Sequence, residues 1–191
     1  MFWPKNCPSL CSKEELHING RISYPTAESK SLESAKLLIS HGADVNIKKN
    51  NGYTALHSSV YSGSKEITEL LISHGANVNE KTEEGSTPLH IAIERNFFEI
   101  AELLISHGAN VNAKSKNGTT ALHLLSQTDF QSNIEYLISK GADVNIPDEL
   151  GKTPLHFAVE RERKFSVITL ISHGANINSK DSSGQLLFIL Q

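Results

Sequence analysis

Cysteine is nearly missing. Cys7 and Cys11 are the only two in 191 residues. They read as reduced thiols of a cytosolic protein. A zinc site needs about four ligands, and no second Cys/His pair stands near them at ligand spacing. A charge excess is missing too: 18 Lys and Arg against 21 Asp and Glu leave a net charge of −3. That balance gives no bulk electrostatic reason for a nucleic-acid or membrane-surface partner. No apolar run approaches the ~20 residues that span a bilayer. The start, "MFWPKNCPSLCSKEE", holds no sustained apolar stretch, so no secretory signal is read and a cytoplasmic location is expected, with the nucleus left open. No phosphate-binding G-x-x-x-x-G-K loop, dinucleotide fingerprint or nucleophile signature occurs. The triplet Asn117-Gly118-Thr119 sits on a repeated turn and reads as turn chemistry, not as a glycosylation acceptor.

What the chain has instead is repetition. "ELLISHGANVN" is spelled at Glu69–Asn79 and again at Glu102–Asn112. Variants begin at Lys36, Glu135 and Ile168, each thirty-three residues from its neighbour. A second phrase keeps the same interval: "GYTALH" from Gly52, "GSTPLH" from Gly85, "GTTALH" from Gly118 and "GKTPLH" from Gly151. A fifth start, "GQLLFI" from Gly184, keeps only the glycine. A single catalytic site gives no reason for such a metre, whereas stacked structural units do.

Each unit spells two short helices. Thr54, Thr87, Thr120 and Thr153 suit an N-cap, and Pro88 and Pro154 suit the first helical position. Apolar and small residues follow at i, i+3 and i+4: Leu56/Ser59/Val60, Leu89/Ala92/Ile93, Leu122/Leu125/Ser126 and Leu155/Ala158/Val159. A second helix is predicted with Ile67/Leu70/Leu71 and Ile100/Leu103/Leu104 as its buried stripe. It ends at Gly75, Gly108, Gly141 or Gly174, where a left-handed residue is needed. The polar stretch from "ADVN" or "ANVN" to the next glycine reads as an extended turn or hairpin. Helices of about ten residues are marginal alone, so each unit must bury its stripe against its neighbours.

These phrases resemble the ankyrin repeat, whose thirty-three-residue period and T-P-L-H signature they reproduce. The resemblance implies an all-α solenoid of stacked antiparallel helix pairs with hairpin-like loops. It divides the chain into a divergent N-terminal segment or degenerate cap (1–30), a half repeat (31–50), four repeats (51–83, 84–116, 117–149 and 150–182) and a truncated repeat (183–191). The chain departs from the pattern in several places. "NGRISYPTAESK" from Asn19 has no T-x-L-H and contains Pro25, so no normal first helix is expected there. Asn133 and Ser166 stand where Ile67 and Ile100 stand, so looser second helices are expected in the C-terminal half. Leu186, Leu187, Phe188 and Ile189 are not the polar cap a solenoid end requires; either they fold back on the last pair or the array is longer.

Of nine histidines, eight follow the period. His57, His90, His123 and His156 close the T-x-L-H phrase, and the resemblance implies a structural hydrogen-bonding role. His41, His74, His107 and His173 precede the helix-ending glycine. Equivalent positions about 8–10 Å apart cannot share one zinc ion with bonds near ~2 Å. Glu66/Glu69 and Glu99/Glu102 read as a solvated face. The resemblance also offers Asn46, Asn79, Asn112, Asn145 and Asn178 as asparagine-hydroxylation acceptors, while residue chemistry alone reads them as turn residues.

The resemblance implies that partners meet the hairpin tips and the concave side of the first helices. Transferred position by position, that surface is Asn50, Asn51, Tyr53, Tyr61 and Ser62; then Glu83, Glu84, Ser86, Glu94 and Arg95; then Lys116, Asn117, Thr119, Gln127 and Thr128; and Glu149, Leu150, Lys152, Glu160 and Arg161. The expected function is a non-catalytic scaffold binding another polypeptide, with no cofactor, metal, nucleic acid, membrane or small-molecule substrate. The alternative is a regulatory or substrate-receptor subunit of an enzyme complex such as a ubiquitin ligase, for which only residues 1–30 offer an extra module.

Overall fold

Local structure starts at the T-x-L-H phrase. The backbone N–H of Thr54, Thr87, Thr120 and Thr153 donates to Nδ1 of the histidine three residues on, at 3.0–3.2 Å. Each threonine closes a capping box, with histidine in the place usually held by Glu or Gln. A backbone N–H can only donate, so Nδ1 must accept and the neutral ring carries its proton on Nε2. The phrase thus fixes a helix start and a histidine tautomer together.

A computed structural model describes residues 28–184. Among them lie nine helices: α1 (Glu28–Ser40), α2 (Ala55–Tyr61), α3 (Lys65–Ser73), α4 (Pro88–Glu94), α5 (Phe98–Ser106), α6 (Ala121–Leu125), α7 (Gln131–Ser139), α8 (Pro154–Glu160) and α9 (Lys164–Ser172). No sheet forms among the described residues. Helix α1 begins ahead of the boundary expected at 31. Most of "NGRISYPTAESK" and all of Leu186–Ile189 lie outside the described residues.

The chain falls into two compact units, one ending at Asn77 and one beginning at Val78. In the first unit, α3 packs on both α1 and α2. In the second, α4, α6 and α8 form a row of first helices. Each packs on its own second helix, and α7 packs on α9.

The first-helix stripes are buried as expected, except that Val159 is half-buried. The second-helix stripe is shifted. Ile67, Thr68 and Leu71 are buried in α3, and Ile100, Ala101 and Leu104 in α5, while Leu70 and Leu103 are half-exposed. In α7, Ile134 and Leu137 are buried and Asn133 is half-buried.

The helix-to-helix loops vary. Asn96 (φ 60°) and Glu162 (φ 55°) take the left-handed turn that Gly63 (φ 73°) takes in the first pair. The third pair has no left-handed residue there. Its first helix stops after five residues. Ser126 Oγ donates back to the Leu122 carbonyl (2.6 Å) and Thr128 Oγ1 to that of Leu125 (2.7 Å), side-chain bonds that compete with helix continuation.

Within the second unit, successive layers are laced by repeating bonds. His90 and His123 donate Nε2–H to the carbonyls of Thr119 and Lys152, both at 3.0 Å. Asn79, Asn112 and Asn145 donate to the carbonyls of Gly108, Gly141 and Gly174 at 2.8–3.0 Å. The same three side chains accept from the N–H groups of Asn110, Asp143 and Asn176. Asn46 makes the same pair of bonds in the first unit, to Gly75 and Asn77. This is the turn role read from residue chemistry. The hairpin glycine serves the stacking as well. A Cβ on Gly118 would lie 2.6 Å from the Glu149 nitrogen, and φ is 75° there, so both sterics and backbone require glycine.

Candidate functional site

The hairpin tips are joined through their backbones. Lys116, Glu149 and Ser182 donate N–H to the carbonyls of Glu84, Asn117 and Leu150 at 2.8–3.0 Å. Main-chain polarity is therefore consumed between layers, and the side chains are left to face outward.

In the second unit, Glu83, Glu84, Glu94, Arg95, Lys116, Asn117, Glu149, Leu150, Glu160 and Arg161 are exposed. Leu150 is 61% exposed. Ser86, Thr119, Gln127, Thr128 and Lys152 are half-buried. Several of these have structural partners. Thr119 and Lys152 lend their carbonyls to the histidine bonds. Gln127 accepts from Arg163 Nε at 2.8 Å and Thr128 accepts from Ser166 Oγ. Lys152 Nζ is held by Glu160 Oε1 at 2.5 Å, a bond that raises the ammonium pKa. Partial burial pushes the Glu94 carboxyl up, against the pull of Arg95. In the first unit, Asn50, Asn51, Ser62 and Tyr61 are exposed, Tyr61 at 51%. Tyr53 is half-buried, its ring 5.5 Å from that of His57.

The tip and first-helix positions thus carry mixed charge, with one large exposed apolar or aromatic side chain among them in each unit, Tyr61 in the first and Leu150 in the second. The histidines are committed elsewhere. Nδ1 of His74, His107 and His173 lies 2.8–2.9 Å from the carbonyl four residues back, satisfying the last helical turn. Lys140 takes that place in α7 and lies over the Tyr136 ring at 5.3 Å. Among the described residues no three His, Cys, Asp or Glu side chains are grouped to hold an ion.

A family model described as ankyrin repeats (3 copies) matches residues 26–115 and 109–181. The chain belongs to the ankyrin-repeat family. Its second unit is accordingly an all-α ankyrin solenoid, with one helix pair per layer. Ankyrin repeats are in general protein–protein interaction modules, and the family is typically non-catalytic. None of the curated proteins matches the chain. No helix among the described residues is long and apolar enough to cross a membrane.

Two exposed apolar features escaped the sequence reading. Phe130, 45% exposed, meets Phe98 edge-on at 5.2 Å between centroids, at the loops between paired helices. Phe165 and Ile168 on α9 are 59% and 64% exposed. Aligning α9 with α5 reveals the second feature, since these positions are Glu99 and Glu102 there. The first lies off the tip and concave positions and gives no such signal.

Proposed function

We propose that this ankyrin-repeat protein is a non-catalytic scaffold that docks another polypeptide on its hairpin tips and the exposed side of its first helices. The carrying observation is the split between the two classes of position. Phrase residues such as Leu89, Leu122 and Leu155 are identical and buried, while tip and first-helix residues differ from copy to copy and face outward. Leu150 and Tyr61 are the anchors the surface offers, since large side chains that desolvate on contact dominate interface energies. The reading includes no cofactor, metal, nucleic acid, membrane or small-molecule substrate, and a cytoplasmic location. The alternative, a receptor subunit for an enzyme such as a ubiquitin ligase, needs an enzyme-docking module. The sequence offers one only in 1–30, of which 1–27 lie outside the described residues.

The test is affinity capture read by mass spectrometry with three proteins: wild type, Tyr61→Ala/Leu150→Ala, and Glu66→Ala/Glu99→Ala on the second helices. Partners of the tip surface should bind the first variant about tenfold more weakly and the second unchanged. Retention of every partner by the tip variant, with loss in the second-helix variant, would move the surface to the second helices.

A further inference from the structure

Helix α7 packs on α9, and no comparable packing joins it to α5. Two residues of the third pair set this layer apart. Asn133 stands where Ile100 stands in α5, and Tyr136 where Leu103 stands. Both are half-buried, since an amide and a phenol are costly to take out of water without partners. A shallow cleft is left between the two helices. Phe98, Glu102 and Ile105 of α5 line one side and Asn133 and Tyr136 of α7 the other. Buried Ile93, Ala101 and Leu137 complete the lining. Phe98 opens α5 and Phe130 precedes α7, so their edge-on contact bridges the two helices where they begin.

The chemistry of this cleft selects a cation. Helices α5 and α7 hold the carboxylates of Glu99, Glu102 and Glu135 and no Lys or Arg. Glu102 is the one that lines the cleft. Its carboxylate, the Asn133 side-chain amide and the Tyr136 hydroxyl have no hydrogen-bond or ion-pair partner among the described residues. The Tyr136 phenol is pushed up, first by partial burial and then by the Glu102 carboxylate, so the two groups share one field. The Tyr136 ring already draws a cation, with Lys140 Nζ 5.3 Å from its centroid. The cleft encloses about 10 Å³, the room of a single water, so it suits a side-chain tip laid against its walls and no whole small molecule. A guanidinium fits these walls better than an ammonium does. It is planar, stacks on an aromatic face and forks toward a carboxylate, with N–H groups left over for an amide oxygen.

We propose that the α5–α7 cleft is a docking site for an arginine side chain of a basic polypeptide segment, the guanidinium lying against the Phe98 and Tyr136 rings, pairing with Glu102 and donating to the Asn133 side-chain oxygen. The site lies on the second helices, apart from the tip and first-helix positions, and it is independent of which partner those bind.

NMR titration of the full chain, labelled with nitrogen-15 and carbon-13, tests it with the blocked tripeptide acetyl-Gly-Arg-Gly-amide as probe. The Asn133 side-chain amide and Tyr136 ring signals should shift and saturate together. The same peptide with citrulline keeps the shape of arginine and removes its charge; it should bind about tenfold more weakly. Glu102→Gln should weaken the arginine peptide about tenfold as well. Glu102 is exposed, so this variant should keep the wild-type backbone spectrum. Glu99→Gln removes the same charge from α5 outside the cleft lining, and should change the affinity by no more than about twofold, as a screened surface charge does. Equal binding of the arginine and citrulline peptides overturns the proposal, and so does an affinity unmoved by Glu102→Gln. Equal weakening by Glu102→Gln and Glu99→Gln would reduce the attraction to bulk charge and overturn it too. Shifts that fail to saturate, or that centre on carboxylates away from Asn133 and Tyr136, have the same consequence.

Discussion

Helices α5 and α9 occupy equivalent places in their pairs, sixty-six residues apart, and they are reversed in polarity. In α5, Glu99 and Glu102 face solvent and Ile100 is buried. In α9 the same positions are Phe165, Ile168 and Ser166, so the apolar residues are outside and the hydroxyl is inside. Both helices nevertheless dock on their own first helix. Ser166 is accommodated because the third pair's shortened first helix leaves the carbonyls of Gln127 and Thr128 in reach, and Arg163 and Ser166 donate to them. A second-helix position can thus be held by apolar burial or by a directed polar bond to the preceding layer. The two should differ in strength. Burial of an Ile side chain contributes several times what a net hydrogen bond does.

That difference is the largest effect expected. Ile100→Ala removes buried methyl groups from a site 3% exposed and should cost about 2–5 kcal/mol in urea unfolding. Ser166→Ala keeps the Cβ and removes only the donor to Thr128, whose surroundings are half-open to water, and should cost about 1 kcal/mol. Equal losses at the two positions would mean that α9 is buried in the same way as α5 and that the polar bonds are incidental.

A smaller effect shared by both regions comes from the T-x-L-H histidines. Burial is the main cause that holds the imidazoles of His90, His123 and His156 below their ordinary value of 6.5. A carbonyl acceptor opposes the shift at His90 and His123, and Asp181 and Glu160 oppose it at His156. The unfolded chain therefore takes up protons below about pH 6.5 that the folded chain refuses. Stability should be full above that pH, fall as pH is lowered through the window beneath it, and level off once pH is below the folded values. Thermal melts from pH 7.5 to 5.5 check the sign. Residue-resolved titration sharpens the comparison: His156 titrating at its ordinary value while His90 does not would show that the last layer opens where the second does not.

Much of this architecture is legible in the residues. Thr87 before Pro88, with His90 three on, specifies a helix start in any context, because capping is local chemistry. Gly118 announces both a left-handed turn and a close approach. The buried second-helix stripe departs from the expected apolar spacing for a physical reason. Thr68 and Ala101 are buried, Thr68 with its hydroxyl 3.0 Å from that of Ser59 on the first helix, and neither is strongly apolar. Leu70 and Leu103 score higher and sit at the edge. In sequence Ser166 looks like a packing defect, because the carbonyl it meets belongs to a loop thirty-eight residues away, and the shape of that loop depends on where α6 ends. At the site, exposure of the tip positions followed from the repeat register. The structural bonds of Gln127, Thr128 and Lys152 did not, since each depends on a distant residue or on side-chain geometry.

The smallest expected effect is the most discriminating for α9. Phe165→Glu/Ile168→Glu restores the pattern of α5 on a face where the two side chains are more than half exposed. Surface changes away from buried bonds usually stay within about 0.5 kcal/mol. Melting temperature and urea midpoint should accordingly match the wild type, even though two large apolar groups have been replaced by charges. The added acidic residues should also raise solubility, as surface carboxylates do. The energetic argument is one of reference states: side chains that water already reaches in the folded chain lose little when made polar. A loss above about 1 kcal/mol would require that Phe165 or Ile168 be covered. The reversal between α5 and α9 would then be an exchange of one buried face for another, not an exposure of apolar surface.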